Sequence, residues 1–515
     1  MSGEMTRNAR IFATVGVGLA LFLAALDQTI VGTALPRIVS ELNGLEYYAW
    51  VATAYLVAST TLTPIAGKLG DLFGRKPFLL GGMIGFVLAS ALCGQAQNMA
   101  ELVAFRGLQG VFGGVLFASV FATIADLYTP AQRAKIQGVF GGIFGLASVV
   151  GPTVGGYLTD NLTWRWVFYV NVPVGILAVA VCFVTLPAVA HRASWRDIDF
   201  AGALTLAATL VPMLIAFSIT RDHEFTSPEV LGLLAVAAVM GVIFFAIEVR
   251  NPHPIVPFEL WRNPTFAVST IIGFLLGFAM FGAILYVSLI YQGVLGIPAT
   301  NSGLLITPLM VGLIAASVVT GQLMVRIKRY RYLGTIGLAV MVVGLWLLAQ
   351  VNVGTPEIEV VRDLVLVGLG VGVGMPLYLN ATQSAVDVRY LGVVSSQIQF
   401  WRNIGSTVGV AILGAVLSHE LPQKIAAAVP PQFAGQVASS GNAQAIFDPA
   451  ATAQIPPQLL LAIRGALASA THDVFLYAAV VAGIALVFSL FLQEVPIRGR
   501  ADPVRQGEAA PAFGK

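Results

Sequence analysis

The stretch Gly67-Lys68-Leu69-Gly70-Asp71-Leu72-Phe73-Gly74-Arg75-Lys76 crowds ionisable side chains and glycines between two long apolar runs, at about 48–67 and 78–95. About 20 apolar residues are enough to cross a roughly 30 Å hydrocarbon core. The charged stretch therefore reads as a connection on one face of a membrane, and Gly70 and Gly74 permit a tight turn there. Working outward, such runs recur at about 12–35, 48–67, 78–95, 102–125, 136–158, 167–187, 200–219, 230–248, 266–290, 303–325, 333–351, 363–383, 399–418 and 474–492. This is a fourteen-span pattern. Twelve or thirteen spans stay open, because 200–219 and 399–418 are the weaker runs.

Composition agrees. Of 515 residues, 57% are hydrophobic and 10% charged, against roughly 25% charged in soluble domains. A water-soluble enzyme is excluded on that ground. The formal net charge of +3, with no arginine-rich patch, gives nucleic acid nothing to bind. Cys93 and Cys182 lie in apolar stretches, so neither a disulfide framework nor a thiolate metal site is expected. The first run is too long for a signal peptide and continues through Asp27 to Pro36, so it reads as a retained helix.

Basic residues set the expected direction. With fourteen spans and an inside N-terminus, only Arg37, Arg165, Arg221, Arg362, Lys424 and Arg464 fall outside, and Arg106 falls within a span. The remaining Lys and Arg lie inside, as the positive-inside rule requires. Both termini are then cytoplasmic. The long outer loop 419–473, rich in proline, is expected to be irregular, with Leu459–Leu467 lying at the membrane surface as a short helix.

A faint repeat divides the chain. Gly67 to Lys76 follows span 2 and a basic run from Gly321 to Arg329 follows span 10; Gly107-Leu108 in span 4 has a counterpart in Gly368-Leu369 of span 12. The expected layout is a six-helix bundle at 1–190, an inserted helix pair at 191–262, a second six-helix bundle at 263–497 and a tail at 498–515. Two such bundles facing one another across a midplane cavity form the architecture of an alternating-access transporter.

Two ionisable groups sit well inside spans, Asp27 in span 1 and Arg106 in span 4, and such groups default to function. Gln109 lies one turn from Arg106 on the same face. A carboxylate in low dielectric holds a proton more firmly, and a nearby arginine loosens it. Asp27 therefore reads as a proton-binding group in a cavity, with a static Asp27–Arg106 pair as the alternative. Gln28, Ile30 and Gln109 are expected to meet substrate, with aromatic lining from Trp50, Tyr55, Tyr378 or Trp401. Asn380 and Gln383 are expected to line the cavity or to form an interhelical network.

Span 5 carries Gly138, Gly141, Gly142, Gly145, Gly151, Pro152, Gly155 and Gly156. Glycines at this spacing allow close helix contact, and the proline bends the helix. The expectation is a seam against which the bundles rock. Asp71, Gly67, Gly74, Arg75 and Lys76, with Asp126 and Arg133, are expected to latch the inner side. No ATP-binding loop, metal-ligand spacing or nucleophile elbow occurs in the sequence.

These motifs together resemble the major facilitator superfamily, and within it the fourteen-helix drug:proton antiporter branch. Leu26-Asp27-Gln28-Thr29-Ile30-Val31-Gly32-Thr33-Ala34-Leu35-Pro36 is similar to the span 1 motif of that branch, departing at Gly32 where Asn is usual. Gly67 to Lys76 resembles the inner-loop motif. Arg106-Gly107-Leu108-Gln109-Gly110 is similar to the span 4 motif and Gly151-Pro152-Thr153-Val154-Gly155-Gly156 to the antiporter signature. Trp164-Arg165-Trp166, with Phe168, Asn171 and Pro173, also matches. The resemblance implies an all-α membrane protein that exports hydrophobic compounds, often cationic, in exchange for protons across the bacterial plasma membrane. It implies a proton gradient and no cofactor, with bilayer, small hydrophobic substrates and protons as partners; nothing in the sequence demands a dimer. Members of that branch often use further carboxylates in span 13 for dicationic drugs; span 13 here has no acidic residue in its apolar body, so the resemblance points away from dications and toward neutral, lipophilic or anionic cargo. Export of one lipid or metabolite, and uncoupled transport, are the alternatives.

Overall fold

Helix starts in this chain are written locally. The Asn98 side chain accepts the Glu101 N–H at 2.9 Å. Thr129 and Gln132 form a reciprocal capping box ahead of Pro130, and Asp199 and Asn263 cap the helices that follow them. Each such cap satisfies an amide that the first turn leaves unpaired. Gly74 has a φ of 99°, a left-handed value that glycine adopts without strain, and one helix ends and the next begins on either side of it.

The computed structural model describes residues 6–42, 47–187, 198–220, 225–252, 254–297, 306–327, 330–429 and 456–494. The long helices among these residues are α1 Arg7–Leu42, α2 Tyr48–Phe73, α3 Arg75–Gln95, α4 Met99–Leu127, α5 Pro130–Asn161, α6 Asn171–Thr185 and α7 Phe200–Ile219. They continue with α8 Pro228–Glu248, α9 Pro264–Leu289, α10 Thr307–Arg326, α11 Tyr330–Ala349, α12 Glu357–Ala385, α13 Leu391–Ala428 and α14 Pro457–Ser489. No strand occurs among the described residues. Among the described residues, 13 helical segments are long and apolar enough to cross a membrane. The helix outside that set is α2, whose middle reads Ser59-Thr60-Thr61-Leu62-Thr63; these hydroxyl residues are buried in protein, where hydropathy is a poor guide. The two runs that look weak in sequence, 200–219 and 399–418, are both helical.

Helices α1 to α6 close around Leu21, Phe86 and Phe117 at one level and around Ile30, Trp164 and Phe168 at another. A larger core joins α9 to α14 through Tyr291, Met341 and Phe475. Helices α7 and α8 pack on one another and lay Leu206, Leu210 and Leu214 beside Val57 of α2 and Phe400 and Ile404 of α13. Outward faces are apolar: Val184, Leu204 and Val242 are all exposed. Contiguous apolar surface of this kind requires an apolar surrounding.

Two expectations need correction. The segment 419–473 is not an irregular loop at its ends, because α13 continues to Ala428 and α14 begins at Pro457. Leu459–Leu467 is the start of α14, with Leu459 and Ile463 packed on Ile425 and Lys424 donating to the Ser469 carbonyl at 2.8 Å. Residues 430–455, the tail 498–515, and Arg192, Arg196, Lys328 and Arg329 lie outside the described residues.

Candidate functional site

Asp27 sits near the middle of α1 and is fully buried. Arg106 of α4 donates to its Oδ2 at 2.7 Å, and Gln109 donates to its Oδ1 at 2.8 Å. Asn171 at the start of α6 donates to the same Oδ1 at 2.9 Å and to the Ser90 hydroxyl of α3 at 3.0 Å. Arg106 also reaches the Gln109 side-chain oxygen at 2.7 Å and lies 4.4 Å from the Tyr55 ring centroid. Sequence spacing places Arg106 and Gln109 one turn apart, so both face α1. The carboxylate is thus bound by three donor side chains from two other helices at once, which offsets the cost of burying its charge.

The expected pair is present, but its setting differs from the expectation. Asp27 is buried inside the first group of helices and does not line the cavity between the two groups. The cavity between the two groups is lined instead by Leu21, Phe117, Phe121, Gln137, Phe140, Gly141, Phe144, Met375, Pro376, Leu379, Ile398, Gln399 and Arg402, and has a volume of about 20 Å³. A single water needs roughly 10–15 Å³, whereas a drug-sized ligand needs about 300 Å³ or more. This conformation is closed around the cavity.

Most of the expected lining residues are elsewhere. Ile30 is core beside Trp164, and Tyr55 is buried beneath Arg106. Gln28 is half-buried beside Asp27, and Trp50 is half-buried on α2. Tyr378 belongs to the core of the second group, against Gly334. Trp401 packs edge-on against Trp261, 5.7 Å between centroids, where α7 and α8 dock. Gln383 accepts from Gln137 at 2.8 Å and donates to Ser395 at 2.7 Å, tying α5, α12 and α13 together. Asn380 is buried with neither amide atom partnered. The aromatic lining that sequence reading missed is signalled by Phe117/Phe121 and Phe140/Phe144, each pair four residues apart on one helix face.

At the Asp71 end the two groups interlock. The Asp71 carboxylate accepts the N–H groups of Gly392 at 3.2 Å and Val393 at 2.9 Å. Tyr390 gives α13 no side-chain cap of its own; Asp71, from the other group of helices, satisfies the exposed amides and meets the positive end of the helix dipole. Arg75 holds Asp71 and reaches Asp126 at 3.0 Å. Gly67 lies so close to Ser396 that any side chain there would collide. Two expected members are not part of this latch. Lys76 donates to the Phe183 and Leu186 carbonyls at the end of α6, both at 2.7 Å, and Arg133 donates to the Tyr128 carbonyl at 2.8 Å.

The glycine seam of α5 divides in two. Gly138, Gly141 and Gly145 pack on Ser317 and Ile314 of α10, and Gly321 of α10 meets the Ala134 backbone. Gly151 and Gly155 face Thr29 and Thr33 of α1, in their own group, and Gly156 meets nothing within 4 Å. Of the glycines expected in a rocking seam, Gly138, Gly141, Gly142 and Gly145 meet the other group, whereas Gly151 and Gly155 stay within their own. Pro152 lies within α5, directly after Gly151 in the half that faces α1.

A family model described as Major Facilitator Superfamily matches residues 17–410. The chain belongs to the major facilitator superfamily. It is 39% identical to the multidrug transporter protein MdtP of Bacillus subtilis, covering 97% of this chain and 96% of that one. It is 34% identical to multidrug resistance protein 3 of the same organism, covering 96% and 97%. Among solved structures it resembles the proton:xylose symporter XylE, with a TM-score of 0.62 at 12% identity over 95% of this chain and 97% of that one. It also resembles the human organic anion transporter MFSD10, with a TM-score of 0.59 at 15% identity over 92% and 99%. These two likenesses concern the fold. This superfamily member is a multi-pass membrane transporter and not an enzyme.

Proposed function

We propose that this transporter is a proton-coupled antiporter that exports lipophilic compounds across the bacterial plasma membrane by alternating access, with both termini cytoplasmic. The observation that carries the reading is the buried Asp27 carboxylate held by Arg106, Gln109 and Asn171. A charge at this depth is costly to maintain and is retained where it moves protons or ions. In the mechanism, rearrangement of α1 and α4 withdraws Arg106 from Asp27, and the carboxylate then takes a proton from the side to which it is wetted. The Asp71 end, read as cytoplasmic from its basic residues, unlatches when the α13 cap is broken, and Gln137–Gln383 must part at the same time. The transporter works as a monomer with no cofactor, and the proton gradient supplies the energy. Export of drugs is supported by the names of its Bacillus relatives.

Proteoliposomes with an imposed pH gradient test this. The native protein accumulates or expels lipophilic fluorescent compounds only with the gradient, and Asp27→Asn abolishes that dependence. Loss of the gradient requirement in the native protein, or uphill transport by the variant, overturns the reading. A second reading has its own support: both Asp27 oxygens are satisfied and the group is fully buried. In that reading Asp27 is a fixed strut between α1, α4 and α6, transport is uncoupled, and Asp27→Asn changes stability without changing pH response.

A further inference from the structure

Sequence position puts Arg402 near the membrane edge, because the apolar run that contains it begins near 399. The helix, however, begins at Leu391. Eleven residues at 1.5 Å each place Arg402 roughly 16 Å along α13, away from the start of that helix. It is buried, it lines the cavity between the two groups of helices, and its neighbour one turn back, Gln399, lines it too. Its guanidinium has neither an ion-pair partner nor a hydrogen-bond acceptor among the described residues.

Such a group is anomalous. Arginine does not shed its proton in proteins, and a buried charge normally has a partner or shifts to its neutral form. Asp27 cannot serve, since its oxygens are taken by Arg106, Gln109 and Asn171. The Asp27–Arg106 pair is balanced, so the cavity carries the uncompensated positive charge of Arg402. Elsewhere on the wall of the same cavity, the Gln137 side-chain oxygen lacks a partner. The opposite wall is aromatic, from Phe117, Phe121, Phe140 and Phe144.

We infer that Arg402 is the recognition group for the anionic head of an amphipathic substrate, a carboxylate or phosphate, whose apolar body lies on the phenylalanine wall. The inference rests on the cavity being the transport site and names the charge class of its cargo as organic anions, not cations. A planar guanidinium pairs with either anion through two parallel hydrogen bonds.

The test is binding to purified protein in neutral detergent, read as ligand-induced thermal stabilisation, with no proton gradient involved. The probes are 1-naphthoate, 1-naphthamide and 1-naphthylmethylamine, with dioctanoyl phosphatidate as a lipid arm. The native protein is expected to respond to 1-naphthoate at a concentration at least about tenfold below that for the amide, and least to the amine. In Arg402→Gln the ratio of acid to amide falls to about one, and Arg402→Lys, which keeps the charge, retains part of the preference. Stabilisation by phosphatidate above that by naphthoate assigns a lipid as the source of the anion; the reverse assigns a small organic acid. Equal response to the three naphthalene probes, or an undiminished preference in Arg402→Gln, overturns the assignment. Should Arg402→Gln fail to fold, the native and Arg402→Lys ratios still decide it. Failure of proton-driven transport with the anion preference intact would count against coupling alone.

Discussion

Arg106 and Arg402 are both buried arginines within long apolar helices, yet their surroundings are opposite. Arg106 meets a carboxylate, an amide oxygen, a backbone carbonyl and a tyrosine face. Arg402 faces a cavity and meets none of these among the described residues. A satisfied charge holds helices together and can be released only by rearranging them. An unsatisfied one raises the energy of the empty protein and lowers that of the loaded one. The same residue type therefore serves cohesion in the first group of helices and recognition at the interface with the second.

The largest expected effect tests this contrast directly. Arg106→Met leaves the Asp27 charge buried and unpaired and should destabilise the protein by about 3–5 kcal/mol. Arg402→Met removes a charge with no partner and should leave the ligand-free protein as stable or more stable. Thermal melting of both variants without ligand measures the two signs, and equal losses would erase the distinction. Next in size is Gly321→Val, which drives a side chain into the Ala134 backbone. Overpacking of this kind costs about 1–3 kcal/mol, charged here to the closed state, so labelling of Ser317→Cys by a water-soluble maleimide should rise. Asp71→Ala removes the borrowed cap of α13, a loss of about 0.5–2 kcal/mol, and should raise labelling of Ser396→Cys from the Asp71 end. Smallest is Gly156→Ala, in open space, expected within about 0.5 kcal/mol of the native protein. Gly151→Ala, against Thr29, should cost more, and melting curves of the pair test whether the signature glycines share one role.

Much of the architecture was legible in the sequence. Runs of apolar residues gave the helices, since length and hydropathy alone decide what a bilayer admits. Asp27 with Arg106 was legible because an ionisable residue inside such a run has few places to go, and Gln109 followed from helical spacing. The latch was legible in part: Asp71 and Arg75 were found, but nothing local distinguishes Lys76 and Arg133, which bind carbonyls in their own half. The start of α13 was misplaced for a physical reason. Leu391 to Phe400 includes Ser395, Ser396, Gln397 and Gln399, polar residues buried in protein, and hydropathy cannot separate burial in protein from exposure to water.

Sequence by itself determined that this chain lives in a membrane, where most of its long helices lie, and which charge pair lies within them, because each follows from local composition and period. Only the tertiary structure decided that Asp27 is enclosed by one group of helices while Arg402 faces the space between two. That difference depends on which helix faces meet across long separations in the chain, and facing is a property of packing that no local stretch encodes.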